Sequence, residues 1–129
     1  MNPEDRKHIR NLLCTAFEGG ANYWYRNLDV EKWPEDKSQI EFWHLDVPLL
    51  GGVLVFEDQG EPIYANDNGG MGADDKGVYR LDLDSLQRGL QTFKSKFPRH
   101  WADLLKEEDD ACTGDVFLQA AIFGEQVYA

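Results

Sequence analysis

Between Val116 and Phe123 the chain reads Val-Phe-Leu-Gln-Ala-Ala-Ile-Phe, apolar nearly all round at helical spacing. A helix of that kind has no face to offer to water and is buried on most sides. The rest of the 129 residues must therefore be arranged to cover it. Thr113 is placed to cap this helix, with Asp115 in the first turn, where the amide end of the helix favours an acid. A chain of this length fits one domain, residues 1–129, and buries about two thirds of the surface that it exposes when unfolded. The 42% hydrophobic content excludes a disordered tail, so a compact domain is expected.

The start of the chain supplies one cover. Asn2 can cap a helix, Pro3 suits its first position, and Glu4 and Asp5 favour the positive end of its dipole. Ile9, Leu12, Leu13, Ala16 and Phe17 then form a stripe at three-and-four spacing, with Arg6, Lys7, Arg10 and Asn11 off it. Gly19-Gly20 supplies the left-handed conformation that ends helices, and Asn22-Tyr23-Trp24-Tyr25 follows at once.

The middle of the chain changes period. Leu28 to Ser38 has no clean pattern and reads as a surface connection, whereas Ile40 to Leu45 alternates and reads as a strand. Gly52 to Phe56 is a second strand, and Glu57-Asp58-Gln59-Gly60 looks like the turn of a hairpin whose return arm is Pro62 to Ala65. Asn66 to Gly77 holds too many glycines and turn formers for regular structure and reads as a mobile loop. Val78 to Leu81 resumes as a strand, Asp82 or Asp84 caps a helix carrying Leu86, Leu90, Phe93 and Phe97, and Pro98 breaks or restarts it. His100 to Leu105 forms a further short helical piece. The expected architecture is α+β: an N-terminal helix, an antiparallel sheet of three to four strands, and two to three C-terminal helices.

Charge narrows the function classes. A formal net charge of −11 disfavours direct binding to nucleic acid or to an anionic membrane surface and points to a basic protein partner. The distribution is uneven: Glu107, Glu108, Asp109, Asp110, Asp115 and Glu125 fall in a C-terminal stretch with no lysine or arginine. Glu107 to Asp110, with Asp74 and Asp75, are the candidate partner-binding residues. No segment resembles a signal peptide, and no run approaches the ~18 apolar residues of a membrane span, so a cytoplasmic protein is expected. Cys14 and Cys112 lack partners at metal-ligand spacing, and His8, His44 and His100 are scattered, so no metal and no cofactor is expected.

Other groupings carry less chemistry. Asn22, Tyr23 and Trp24, with Asp115 and Gln119 of the last helix, are the residues of a possible pocket, although an aromatic brace for the core explains them equally well. Glu18 with Asp115 or Gln119 is a candidate polar pair, but no spacing brings them together. His44 and Asp46 fall on one face of the expected strand, which is two residues of a site that needs a third. The acids and amides Asp67, Asn68, Asp74 and Asp75 fail the EF-hand spacing, and neither GxGxxG nor GxxxxGK[ST] occurs.

Three stretches carry a resemblance. Thr15 to Trp24, the closing helix Gly114 to Tyr128, and the middle helix Leu81 to Leu90 with Phe97 to His100 are similar to a family of small proteins encoded by bacteriophages and prophages. The resemblance spans most of the chain and is loose from Lys32 to Asn66. It implies a phage context, in the host cytoplasm, and brings no catalytic residues with it. The expectation is a non-enzymatic binding protein that inhibits a host factor, an anti-CRISPR or other antidefence protein covering a nucleic-acid-binding surface. The alternatives are a small-molecule or nucleotide-binding protein or enzyme with its pocket between Asn22–Tyr25 and the last helix, and a virion assembly protein.

Overall fold

The computed structural model describes residues 1–65 and 70–129; the first part of the expected loop, with Asp67 and Asn68, lies outside the described residues. Helix α1 spans Pro3–Thr15, and the Asn2 side chain accepts the Asp5 N–H at 2.7 Å. It runs into a widened π-type turn, Ala16–Gly20, where the backbone leaves helical geometry at Glu18 and Gly19. The stop falls near the expected glycines but is not the left-handed turn expected of them, since Gly19 is at φ 158° and Gly20 has no positive φ. Strand β1, Tyr25–Lys32, follows, then helix α2, Trp43–Leu49, and strands β2, Val53–Asp58, and β3, Val78–Leu81. Helices α3, Leu83–Lys96, α4, Pro98–Leu105, and α5, Ala111–Phe123, complete the described elements. The fold is a small α+β domain with five α-helices and one three-stranded antiparallel sheet. Among the described residues no helix is long and apolar enough to cross a membrane.

The sheet order is β1-β2-β3, with Tyr25 opposite Asp58, Asp29 opposite Val55, and Phe56 opposite Tyr79. Leu54, Phe56 and Asp58 of β2 are buried on the inner face while Val53, Val55 and Glu57 are half-buried on the outer one, the alternation expected of a strand covered on one side. Three expectations for this region are corrected. The supposed surface connection from Leu28 begins inside β1, whose alternation is broken by register shifts on both sides of Asp29–Val30 and by Asn27 at φ 58°. A bulged strand loses the period of two by which strands are read. Ile40 to Leu45 is not a strand: Asp46 accepts the N–H groups of Glu41 and Phe42, each at 2.9 Å, and the chain coils into α2. The return arm Pro62 to Ala65 is likewise reduced to isolated bridges from Tyr64 to Gly72 and Ala73, since both edges of β2 are already filled by β1 and β3.

Helix α5 is the axis of the molecule. Every residue from Thr113 to Phe123 is buried, as its all-round apolar sequence requires. Its cap is Asp110, not Thr113. The Asp110 carboxylate accepts the Thr113 N–H, and the Thr113 hydroxyl returns to the Asp110 N–H, a capping box that starts the helix earlier and moves Asp115 from the first turn into the second. Asp82 caps α3 in the same reciprocal way with Ser85. Helix α1 crosses α5 at Gly114, and α3 crosses it at Gly89, whose missing side chain leaves room for Ala121. At its far end Phe123 meets the Trp24 and Tyr79 rings at 5.4 and 5.3 Å, which joins α5 to the inner face of the sheet.

Candidate functional site

The tertiary structure brings four of the five proposed pocket residues into one bonded group. From α5, Asp115 accepts the Trp24 indole N–H at 2.8 Å and the Gln119 amide N–H at 2.9 Å on Oδ1, and the Tyr23 hydroxyl at 2.5 Å on Oδ2. Asp115 is 5% exposed and Trp24 2%, while Tyr23 stays 49% exposed at the rim. Asn22 is exposed and stays outside this group; only its backbone carbonyl is engaged, by the Gln59 amide. Glu18 does not reach Asp115 or Gln119. It takes the Cys14 thiol one turn back along α1 and lies 3.9 Å from His44 Nε2.

A second buried carboxylate, unmarked by any motif, completes the group. Asp58, at the end of β2, accepts the hydroxyls of Tyr79 at 2.8 Å and Tyr128 at 2.6 Å, and the Gly60 N–H at 2.8 Å. The donors to both carboxylates are neutral. Burial, and next the acid each faces, push the phenols of Tyr23 and Tyr128 well above the usual tyrosine range, so they remain protonated donors. For Tyr79 burial likewise dominates and the Asp58 carboxylate adds to the rise, against the opposing Ile63 N–H. Charge-assisted bonds of this kind are roughly twice as strong as neutral ones. The arrangement spends its acceptors on donors from its own chain, which makes it a clamp between α5, the aromatic run and the end of the chain.

The chain beyond α5 closes over this clamp. Gly124 ends the helix at φ 70°, and Gln119, fully buried, accepts the N–H groups of Val127 and Tyr128 and donates to the Tyr128 carbonyl. The Tyr128 ring stacks on Trp24 at 5.6 Å.

The acidic candidates divide. Asp74 is consumed by the fold: it accepts Arg80 at 2.6 Å and the N–H groups of Lys76 and Val78, and Arg80 first among these holds its carboxyl down at about 2. Asp75 beside it is exposed. Asp110 is exposed but occupied as the α5 cap. Glu107 and Glu108 are exposed and Asp109 half-exposed in the turn between α4 and α5; among the described residues no lysine or arginine pairs with these three. Glu107 sits at φ 58°, a left-handed position more usually given to glycine.

His44 and Asp46 lie in α2 and not on a strand, which corrects the shared face expected for them. Asp46 faces Arg10, whose Nε donates at 2.8 Å, and the His44 ring lines a cleft of about 230 Å³ with Arg10, Cys14, Glu18 and Phe42. The bond to Glu18, with burial second, raises the Cys14 thiol above its usual range, which keeps it in the less nucleophilic form. Among the described residues no three metal-ligating side chains are placed to hold an ion. Asp58 and Tyr128 escaped sequence reasoning because one stood in an apparent hairpin turn and the other in the expected closing helix Gly114 to Tyr128, which the left-handed Gly124 in fact ends at Phe123. The only signal was a lone acid ending an apolar strand. Compared with family models, curated proteins and solved structures, the chain has no match in any of the three.

Proposed function

We propose that this chain is an acidic binding protein that inhibits a host factor by occupying a basic, nucleic-acid-binding surface, as an anti-CRISPR or other antidefence protein of phage origin would. The carrying observation is the turn between α4 and α5, where Glu107, Glu108 and Asp109 stand without a basic partner among the described residues. Elsewhere on this surface Arg10, Arg80, Arg88 and Lys94 each hold a carboxylate. An unpaired group of carboxylates suits guanidinium and ammonium groups that otherwise hold phosphate. The left-handed geometry of Glu107 belongs to the stop of α4, where its N–H bonds the Leu104 carbonyl and the Glu108 N–H bonds the Asp103 carbonyl. A ligand pocket beside Asn22–Tyr25 has less support, since Asp115 and Gln119 already bond to Tyr23, Trp24 and the C-terminal segment.

Triple reversal of Glu107, Glu108 and Asp109 to lysine tests the reading and leaves the Asp110 cap intact. A partner captured from host lysate by the wild-type chain is expected to bind the triple variant at least about tenfold more weakly at low salt, with most of the difference gone at high salt. Equal affinity of the two forms, with the variant shown to be folded by circular dichroism, would remove this turn as the contact surface.

A further inference from the structure

The groove beneath the C-terminal segment has the parts of a peptide-recognition site. Gln119 turns its buried carboxamide on the segment and reads backbone alone: Oε1 accepts the N–H groups of Val127 at 2.7 Å and Tyr128 at 2.8 Å, and Nε2 donates to the Tyr128 carbonyl at 3.1 Å. Any extended segment presents those groups. Selectivity resides in one side chain. The Tyr128 ring lies on the Trp24 indole at 5.6 Å with 18° between the planes, flanked edge-on by Tyr23 and Phe123. Its hydroxyl donates at 2.6 Å to Asp58, a carboxylate only 4% exposed.

Asp58 makes the site specific for a phenol. A buried carboxylate requires donors, and its Oδ2 takes Tyr79 from within the sheet and Tyr128 from the segment. Phenylalanine in the groove would stack equally well and leave that oxygen one donor short. The neighbours of Tyr128 are not read in the same way: Gln126, Val127 and Ala129 are exposed. The segment leaves α5 at Gly124, a left-handed residue whose carbonyl is held by Lys96, so the helix ends before the segment begins.

We propose that this groove is a binding site for an extended, tyrosine-bearing peptide, filled here in cis by the chain's own C-terminal segment and open to a tyrosine-bearing segment of a partner when that one lifts. Occupancy in cis then sets the affinity in trans, because an incoming peptide binds only the fraction of molecules whose groove is free.

The full-length Tyr128→Ala chain is titrated with the synthetic peptide EQVYA while the Trp24 indole N–H is followed by NMR. A saturable shift is expected, at least about tenfold weaker for EQVFA and at least about tenfold weaker for the wild-type chain, whose groove is filled. A folded variant that shows no saturable shift, or that binds both peptides equally, overturns the proposal. Should Tyr128→Ala not fold, Tyr128→Phe keeps the stacked ring and removes only the hydroxyl. EQVYA is then expected to displace the segment from that variant, and failure to do so at millimolar peptide overturns the proposal equally.

Discussion

Single side chains in this protein matter through the hydrogen bonds that they complete. Asp115 is the acceptor for a buried indole and a buried amide, and Asp115→Ala would leave the Trp24 indole without a partner and the Gln119 amide with the Tyr128 carbonyl alone. A loss of about 2–4 kcal/mol in unfolding free energy is expected, read from urea midpoints at constant slope. Tyr23→Phe should cost about 1 kcal/mol or less, because Tyr23 is half exposed and water can replace it at the rim. If the two variants lose equal stability, Asp115 is not the centre of the clamp. At this scale Tyr23, Trp24, Asp115 and Gln119, grouped in the sequence as a possible pocket, meet in the structure as partners of one another. Sequence reading missed Asp58 and Tyr128, whose meeting joins residues 70 positions apart and leaves no trace in local pattern.

Elements are placed by close approach and by charges that bridge them. At Gly114 a Cβ would fall 2.7 Å from the Ala16 N and 2.8 Å from the Leu12 carbonyl, with Thr15 Oγ1 nearer still. In an exposed helix Gly→Ala stabilises by about 0.5–1 kcal/mol. Here the contacts are largely backbone and α1 would have to move away from α5, so Gly114→Ala should instead destabilise by about 1–3 kcal/mol in thermal or urea unfolding. A stabilised variant would mean that the two helices pack less closely than described. The other bridge is Arg10–Asp46, between α1 and α2. Burial pushes the Asp46 carboxyl up, but the Arg10 guanidinium and the N–H groups of Phe42 and Glu41 together outweigh it and hold the group below its ordinary value. Its contribution to stability is therefore complete above about pH 4, the unfolded value, and is lost as pH falls through the lower folded value. Urea unfolding measured at successive pH values below 4 should show a shallower loss for Asp46→Asn than for the wild type; parallel curves would show that the bridge adds nothing. The same bridge explains why α2 was read as a strand. Ile40 to Leu45 alternates, and helix formation there depends on a carboxylate one residue beyond that run.

Across the whole molecule, burial and charge are distributed by different rules. One buried helix gathers α1, α3 and the sheet around it, while 24 acidic residues against 13 basic ones leave a negative exterior. Much of that negative charge is matched locally, as at Arg80 with Glu31 and Asp74. Surface pairs of this kind contribute little to stability, about 0–1 kcal/mol each, yet they determine which carboxylates remain available to a partner. The salt dependence expected of the Glu107–Asp109 variant is thus a property of the whole surface, since the long-range field comes from the net charge and the short-range contact from the unpaired turn. By itself the sequence determined the α+β class, the start of α1, the burial of α5 on most sides and the sign of the surface. Each of these follows from periodicity, capping chemistry or composition, which are properties of neighbouring residues. Only the tertiary structure decided that residues 43–49 coil, that β1 begins at Tyr25, that Asp74 is consumed while Glu107 has no basic partner among the described residues, and that Tyr128 returns to Asp58. Those outcomes depend on which donors and acceptors packing brings within about 3 Å, and that selection is made between residues far apart in the chain.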